Sequence, residues 1–125
     1  MRSRPSRPSA ASLLAGGLIG AGVSHLLVPW PFDAIVPDAI PGTARFWTYA
    51  SGLAEIGVGA AVARPETRIL GAYAAAALFV AVFPANVKMA WDWRHKPLPL
   101  RAIAYGRLPV QVPMVRHALR VARQA

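Results

Sequence analysis

Phe46-Trp-Thr-Tyr-Ala-Ser-Gly-Leu-Ala-Glu-Ile-Gly-Val-Gly-Ala-Ala-Val-Ala63 is the stretch on which the fold of this chain turns. As a helix at about 1.5 Å per residue it reaches about 27 Å, close to the hydrocarbon thickness of a bilayer, about 30 Å. Glu55 stands near its middle. A carboxyl at that depth is expensive unless another group answers it. Three further apolar runs, Ala10 to Val28, Ile69 to Trp91 and a weaker Leu108 to Ala122, carry such groups within them or at their rims: His25, Asn86 and Gln111. The pattern predicts an all-α membrane protein, a four-transmembrane-helix bundle around a buried polar site.

Composition agrees. A chain of 125 residues is one domain by length, and 55% hydrophobic residues exceeds what a soluble core of that size needs, so the excess must face lipid. With no cysteine, disulfides, thiolate metal ligands and covalently attached c-type haem are excluded, and any redox chemistry needs a bound cofactor or a partner to carry electrons. The net charge of +9 comes from Lys and Arg lying mainly between and beyond the apolar runs, which points to anionic lipid headgroups and not to nucleic acid.

The basic opening, Met1 to Ser9, reads as a cytoplasmic N-terminal tail, followed over residues 10–125 by the helical membrane domain. Ala10 to Val28 reads as an uncleaved signal anchor, too long for a typical signal core and without a convincing cleavage site. With both termini inside, Arg2, Arg4, Arg7, Arg64, Arg68, Arg116, Arg120 and Arg123 are cytoplasmic against Arg45, Lys88, Arg94, Lys96, Arg101 and Arg107 outside, a modest bias in the expected direction for a multi-pass protein of the cell membrane. The fourth run is the shortest, about 22 Å, and spans only if Arg116, His117 and Arg120 snorkel to the interface.

Pro29 to Gly42 contains four prolines, which stop a helix, together with large apolar side chains that need burial. It is expected to cap the outer helix ends. Asp92 to Arg107 is expected to be a loop with room for a short interfacial helix.

Spacing of three and four places Gly17, Ala21, Ser24 and His25 on one face of the first span, and Gly52, Glu55 and Gly59 on one face of the second, with Ser51 beside them. Phe79, Phe83 and Asn86 align on the third, where Pro84 should kink the helix and free the carbonyl near Val80; Arg107, Gln111 and Val115 align on the fourth. His25, Asn86 and Gln111 lie about 5–8 Å below the outer helix ends and Glu55 about 13 Å below, so the four can line one pocket. Each also has a packing role available: Glu55 as a hydrogen-bonding group between helices, His25 as an interfacial ring, Asn86 as a rescue of the backbone broken by Pro84, Gln111 as helix glue. Lys88 reads as a snorkelling side chain, and His95 and His117 as too close to aqueous surfaces to carry weight. No HExxH or comparable spacing supports a metal site.

Five segments in order, Ser24-His25-Leu26 with Pro29, Phe32 to Pro41, Tyr49 to Ile56, Val82 to Ala90 and Arg107-Leu-Pro-Val-Gln111, resemble the DoxX family of small four-helix membrane proteins over about Leu18 to Arg120. The resemblance implies a four-helix bundle with His25, Glu55, Asn86, Arg107 and Gln111 as characteristic polar positions. DoxX-like proteins include the small membrane subunit of a thiosulfate:quinone oxidoreductase and a component of a mycobacterial complex linked to thiol and oxidative stress. Arg116-His117 departs from the aromatic, apolar end of that pattern.

Two functions follow. In the first, the chain is a subunit of a membrane redox complex, not a complete enzyme alone, holding a quinone-like head group between His25, Glu55, Asn86 and Gln111, with Phe79, Phe83 and Trp47 flanking the ring. In the second, it is a membrane assembly or interaction protein whose polar cluster only locks the helices while the outer loops meet a protein partner. A second copy of the chain is a further partner to consider, and a transporter ranks third because four short helices leave little room for alternating access.

Overall fold

Ser9 opens the first helix by accepting the Ser12 backbone N–H on its hydroxyl at 3.1 Å, and Thr43 accepts that of Phe46 at 3.2 Å at the head of the third. The computed structural model describes residues 9–37 and 39–125, so the basic tail expected over residues 1–9 lies, Ser9 apart, outside the described residues. The described residues form no strand. They build six α-helices: α1 (Ala10–Leu27), α2 (Trp30–Asp33), α3 (Ala44–Ala63), α4 (Arg68–Ala81), α5 (Phe83–Asp92) and α6 (Leu98–Gln124).

Among the described residues two stretches are long and apolar enough to cross a membrane: α1, with mean hydropathy 1.6, and the near-continuous rod Pro65–Asp92, with mean hydropathy 1.8. The expectation of four such spans is therefore met for two helices. Polar load explains the other two, since α3 carries Arg45, Thr48, Ser51 and Glu55, and α6 carries Arg101, Arg107, Gln111, Arg116, His117, Arg120 and Arg123. The exterior remains apolar in both halves of the molecule, with Leu13, Leu27, Leu53, Leu70, Tyr73 and Trp91 among the exposed side chains.

α1 lies along α3, α3 against α4, and α4 against α6, whose first half also receives α5; α6 and α1 barely touch. The helices thus form a ring closed on three sides. Small residues set the closest approach. A Cβ on Gly52 would stand 2.8 Å from His25 Cβ and 3.0 Å from the Gly22 carbonyl, and one on Gly59 would stand 2.7 Å from Ile19 Cγ1. Gly16, Gly17 and Gly20 face open space, so the GxxxG of Gly16 and Gly20 packs nothing.

Pro84 acts as its chemistry dictates. With no N–H at position 84, the rod breaks at Val82, whose own N–H turns to the carbonyls of Leu78 and Val80, and Pro84 takes the tolerated first turn of α5. Prolines also begin helices here. Pro31 sits in the first turn of α2, so the proline-rich loop contains a helical turn where none was expected, and Pro97 and Pro99 open α6 ten residues before the run Leu108 to Ala122. Most of the segment expected to be the third loop is therefore helix.

One core fills the end of the bundle away from the proline-rich loop, built on Leu14, Leu18, Val62, Ala72, Ala75, Ala118 and Val121. A smaller one beneath the loop joins Ile35 to Met89 and Ala104. Gly42, at φ 97°, uses the left-handed conformation that turns the chain from this loop into α3.

Candidate functional site

The proline-rich loop forms a roof, and its anchoring is polar as well as apolar. Asp33 accepts from Thr48 Oγ1 at 2.6 Å and from Arg45 Nε at 2.9 Å, while Trp47 Nε1 donates to the Pro41 carbonyl at 2.7 Å. Lys88 Nζ reaches across from α5 to the Ala34 carbonyl at 3.3 Å and to Asp92 at 2.5 Å. The Thr48 hydroxyl bond, joined by the Arg45 guanidinium, holds the Asp33 carboxyl below its usual range. Trp30 stays largely exposed, so the roof is held by Phe32, Ile35 and Val36 and not by its tryptophan.

Beneath it lies a cavity of about 550 Å³, inside the range of about 300–1,000 Å³ common for small-molecule sites. His25, Trp47, Glu55, Phe79, Asn86, Arg107 and Gln111 all line it. Phe83 does not. The lining stripe runs through Phe79, Val82, Ala85 and Asn86, and Phe83 falls beside it, 41% exposed at the head of α5. Phe32 supplies the aromatic wall in its place, its ring stacked on His25 with centroids 3.8 Å apart.

His25 Nδ1 bonds the Ala21 carbonyl at 2.7 Å, and a carbonyl can only accept, so Nδ1 carries the proton and a neutral ring offers Nε2 as acceptor. The same Nδ1 is 3.6 Å from Glu55 Oε2, within ion-pair reach but too far for a hydrogen bond. Across the cavity Asn86 Nδ2 donates to Gln111 Oε1 at 3.2 Å, joining α5 to α6. Arg107 Nη1 is turned to Met89 Sδ at 3.3 Å, and among the described residues no ion pair joins it to Glu55. Among the described residues two buried side-chain atoms are left without a hydrogen-bond partner, Glu55 Oε2 and Gln111 Nε2. One accepts and the other donates, and each costs about 1–3 kcal/mol if nothing meets it. Among the described residues no group of three His, Asp or Glu side chains is placed to hold a metal ion.

Phe32 and His117 are the two aromatic lining residues that sequence spacing missed. Phe32 lies in a loop, where helical periodicity says nothing. His117 had a signal, since Arg107, Gln111, Met114 and His117 continue one stripe of α6; its Nε2 donates to the Ala10 carbonyl at 2.9 Å and closes the far end of the cavity.

No curated protein and no solved structure matches the chain. The family model that matches is not that of DoxX, so the resemblance is overturned, and the oxidoreductase and thiol-stress associations drawn from it fall with it. Matched over residues 14–122, the chain belongs to the family defined by a domain of unknown function, DUF8561.

Proposed function

We propose that this is a multi-pass protein of the cell membrane, with α1, α3, the α4–α5 rod and α6 as four spans and both termini on the cytoplasmic side, and that it holds a small quinone-like ligand in the roofed cavity. It acts as a binding subunit and not as a complete enzyme. The observation that carries this reading is the pair of buried, unpartnered atoms, Glu55 Oε2 and Gln111 Nε2, in the wall of one cavity with His25, Asn86 and Arg107. A ring bearing a hydroxyl, which donates to Glu55 Oε2, and a second oxygen that accepts from Gln111 Nε2 answers both, with Trp47, Phe79 and Phe32 as flat apolar walls. Four-span topology draws support from the apolar exterior and from the arginines near the helix ends. Accessibility labelling of single cysteines at Glu66 and Pro97 tests it, and labelling of both from one side rejects it.

Purification with mass spectrometry of co-extracted small molecules tests the ligand. The wild-type chain should carry a ring-bearing amphiphile, and Glu55→Gln, which keeps the shape but not the charge, should fold and lose it. A packing role is the rival, since Asn86–Gln111 and His25–Glu55 each join two helices. Under that role no small molecule co-purifies, Glu55→Gln is tolerated, and Glu55→Leu lowers thermal stability.

A further inference from the structure

The ring of helices has one open side, and it runs the length of the cavity. Leu14, Gly17, Leu18, Ala21 and His25 form one wall along α1, and Arg107, Val110, Gln111, Met114 and His117 form the facing wall along α6. These two helices barely touch. Leu13, Val110 and Met114 belong to the cavity wall yet are exposed at 58%, 50% and 38%, so the cavity opens sideways between them. Its two ends are tied. The stack of Phe32 on His25 and the Trp47 bond to Pro41 hold the roof, and His117 on Ala10 pins the far end.

Chemistry is divided along this seam. Apart from His117, which is bonded to the Ala10 carbonyl at the far end, the polar atoms gather at the roof end, while the wall from Leu18 down to Leu14 and Met114 is apolar. From this division we infer that the α1–α6 seam is a lateral port, and that the ligand is a single-tailed amphiphile taken from the bilayer, with its head between Glu55 and Gln111 and its hydrocarbon tail lying in the seam. The inference rests on the ligand reading above and specifies its class. The head must offer an acceptor to Gln111 Nε2 and a hydroxyl to Glu55 Oε2 or His25 Nε2, which a quinol or a hydroxyl-bearing lipid head does. A tail in the seam buries apolar surface at about 0.8 kcal/mol per methylene, so it supplies much of the affinity.

Gly17 and Gly20 make the test clean. A Cβ on either meets nothing within 4 Å, so both accept a side chain without disturbing α1 against α3, but only Gly17 lines the cavity. Binding of a decyl-substituted benzoquinol and of its tail-less parent is measured by native mass spectrometry on the full chain released from lipid nanodiscs. Gly17→Phe should weaken the tailed probe about tenfold or more, the loss of about two methylenes of burial, and leave the tail-less probe within about twofold. Gly20→Phe should match wild type for both. Wild-type affinity of Gly17→Phe for the tailed probe overturns the port, as does equal affinity of the wild-type chain for the two probes. If the wild-type chain binds neither probe, or Glu55→Gln binds both unchanged, the polar site itself is wrong and the port falls with it.

Discussion

Gly17 and Gly22 lie five residues apart on α1 and have opposite consequences. Gly22 faces α3 at a distance that leaves no space for a methyl group, because Gly52 and Ile56 occupy it, whereas Gly17 looks across to α6 over open space. One side of the helix is an interface and the other a wall. The difference teaches that small residues in an apolar helix do not by themselves announce close packing, since a neighbour must be present to use the room they leave. On the α1–α3 side the neighbour is another glycine-bearing face. On the α1–α6 side it is a helix whose Gln111 and Arg107 keep their polar ends at the roof, and whose approach is fixed at the far end by His117 on Ala10.

Substitution at the closed side should give the largest effect. Gly52→Leu drives a side chain into His25 and the Gly22 backbone, and overpacking of this kind costs about 1–3 kcal/mol. Thermal unfolding in detergent should show a clearly lowered midpoint; an unchanged midpoint would mean that α1 and α3 do not meet as described. Next comes the polar bridge. Asn86→Leu strands Gln111 Oε1 and should cost about 1–3 kcal/mol, while the double variant with Gln111→Leu should recover much of that loss. Additive losses would show that the two amides do not share a bond.

The roof should respond to acid. Because the folded-state Asp33 carboxyl titrates below its ordinary value, the stabilisation it gives is present above the unfolded value and disappears as pH falls through the folded one. Lowering the pH below about 4 should therefore speed cleavage between Phe32 and Ile40 by an acid-active protease, and Asp33→Asn should show the faster rate already at neutral pH. A rate independent of both would detach Asp33 from the roof. The smallest effect belongs to the open wall, where Gly17→Leu should leave thermal stability within about 0.5 kcal/mol of wild type. A large loss there would close the seam that separates the two sides of α1.

Periodicity made much of this legible in advance. His25, Glu55, Asn86 and Gln111 sit at spacings that hold in any helix, so their convergence needed only the helices to form. What periodicity could not supply was the centre of each lining stripe and shape in a loop. Phe83 stays out of the site because the stripe runs through Val82 between Phe79 and Asn86, Phe32 joined the site because a helical turn formed around Pro31, and α6 started early because proline is welcome in a first turn. The DoxX resemblance failed for a related reason. Polar residues at mid-helix positions, with proline beside them, answer general demands of burying polar groups among apolar helices, and such a pattern carries less family information than its length suggests.

The reversal between α3 and α4 has its own bearing on what surroundings that corner needs. Thr67 Oγ1 donates to the Ala61 carbonyl at 2.6 Å, and Arg68 donates to Val62 at 2.8 Å and to Ala63 at 3.1 Å. Three carbonyls at the end of a helix, which in most proteins look to water, are here answered by the residues that begin the next one. That corner carries its own substitute for solvent, and its hydrogen bonding does not depend on water reaching it.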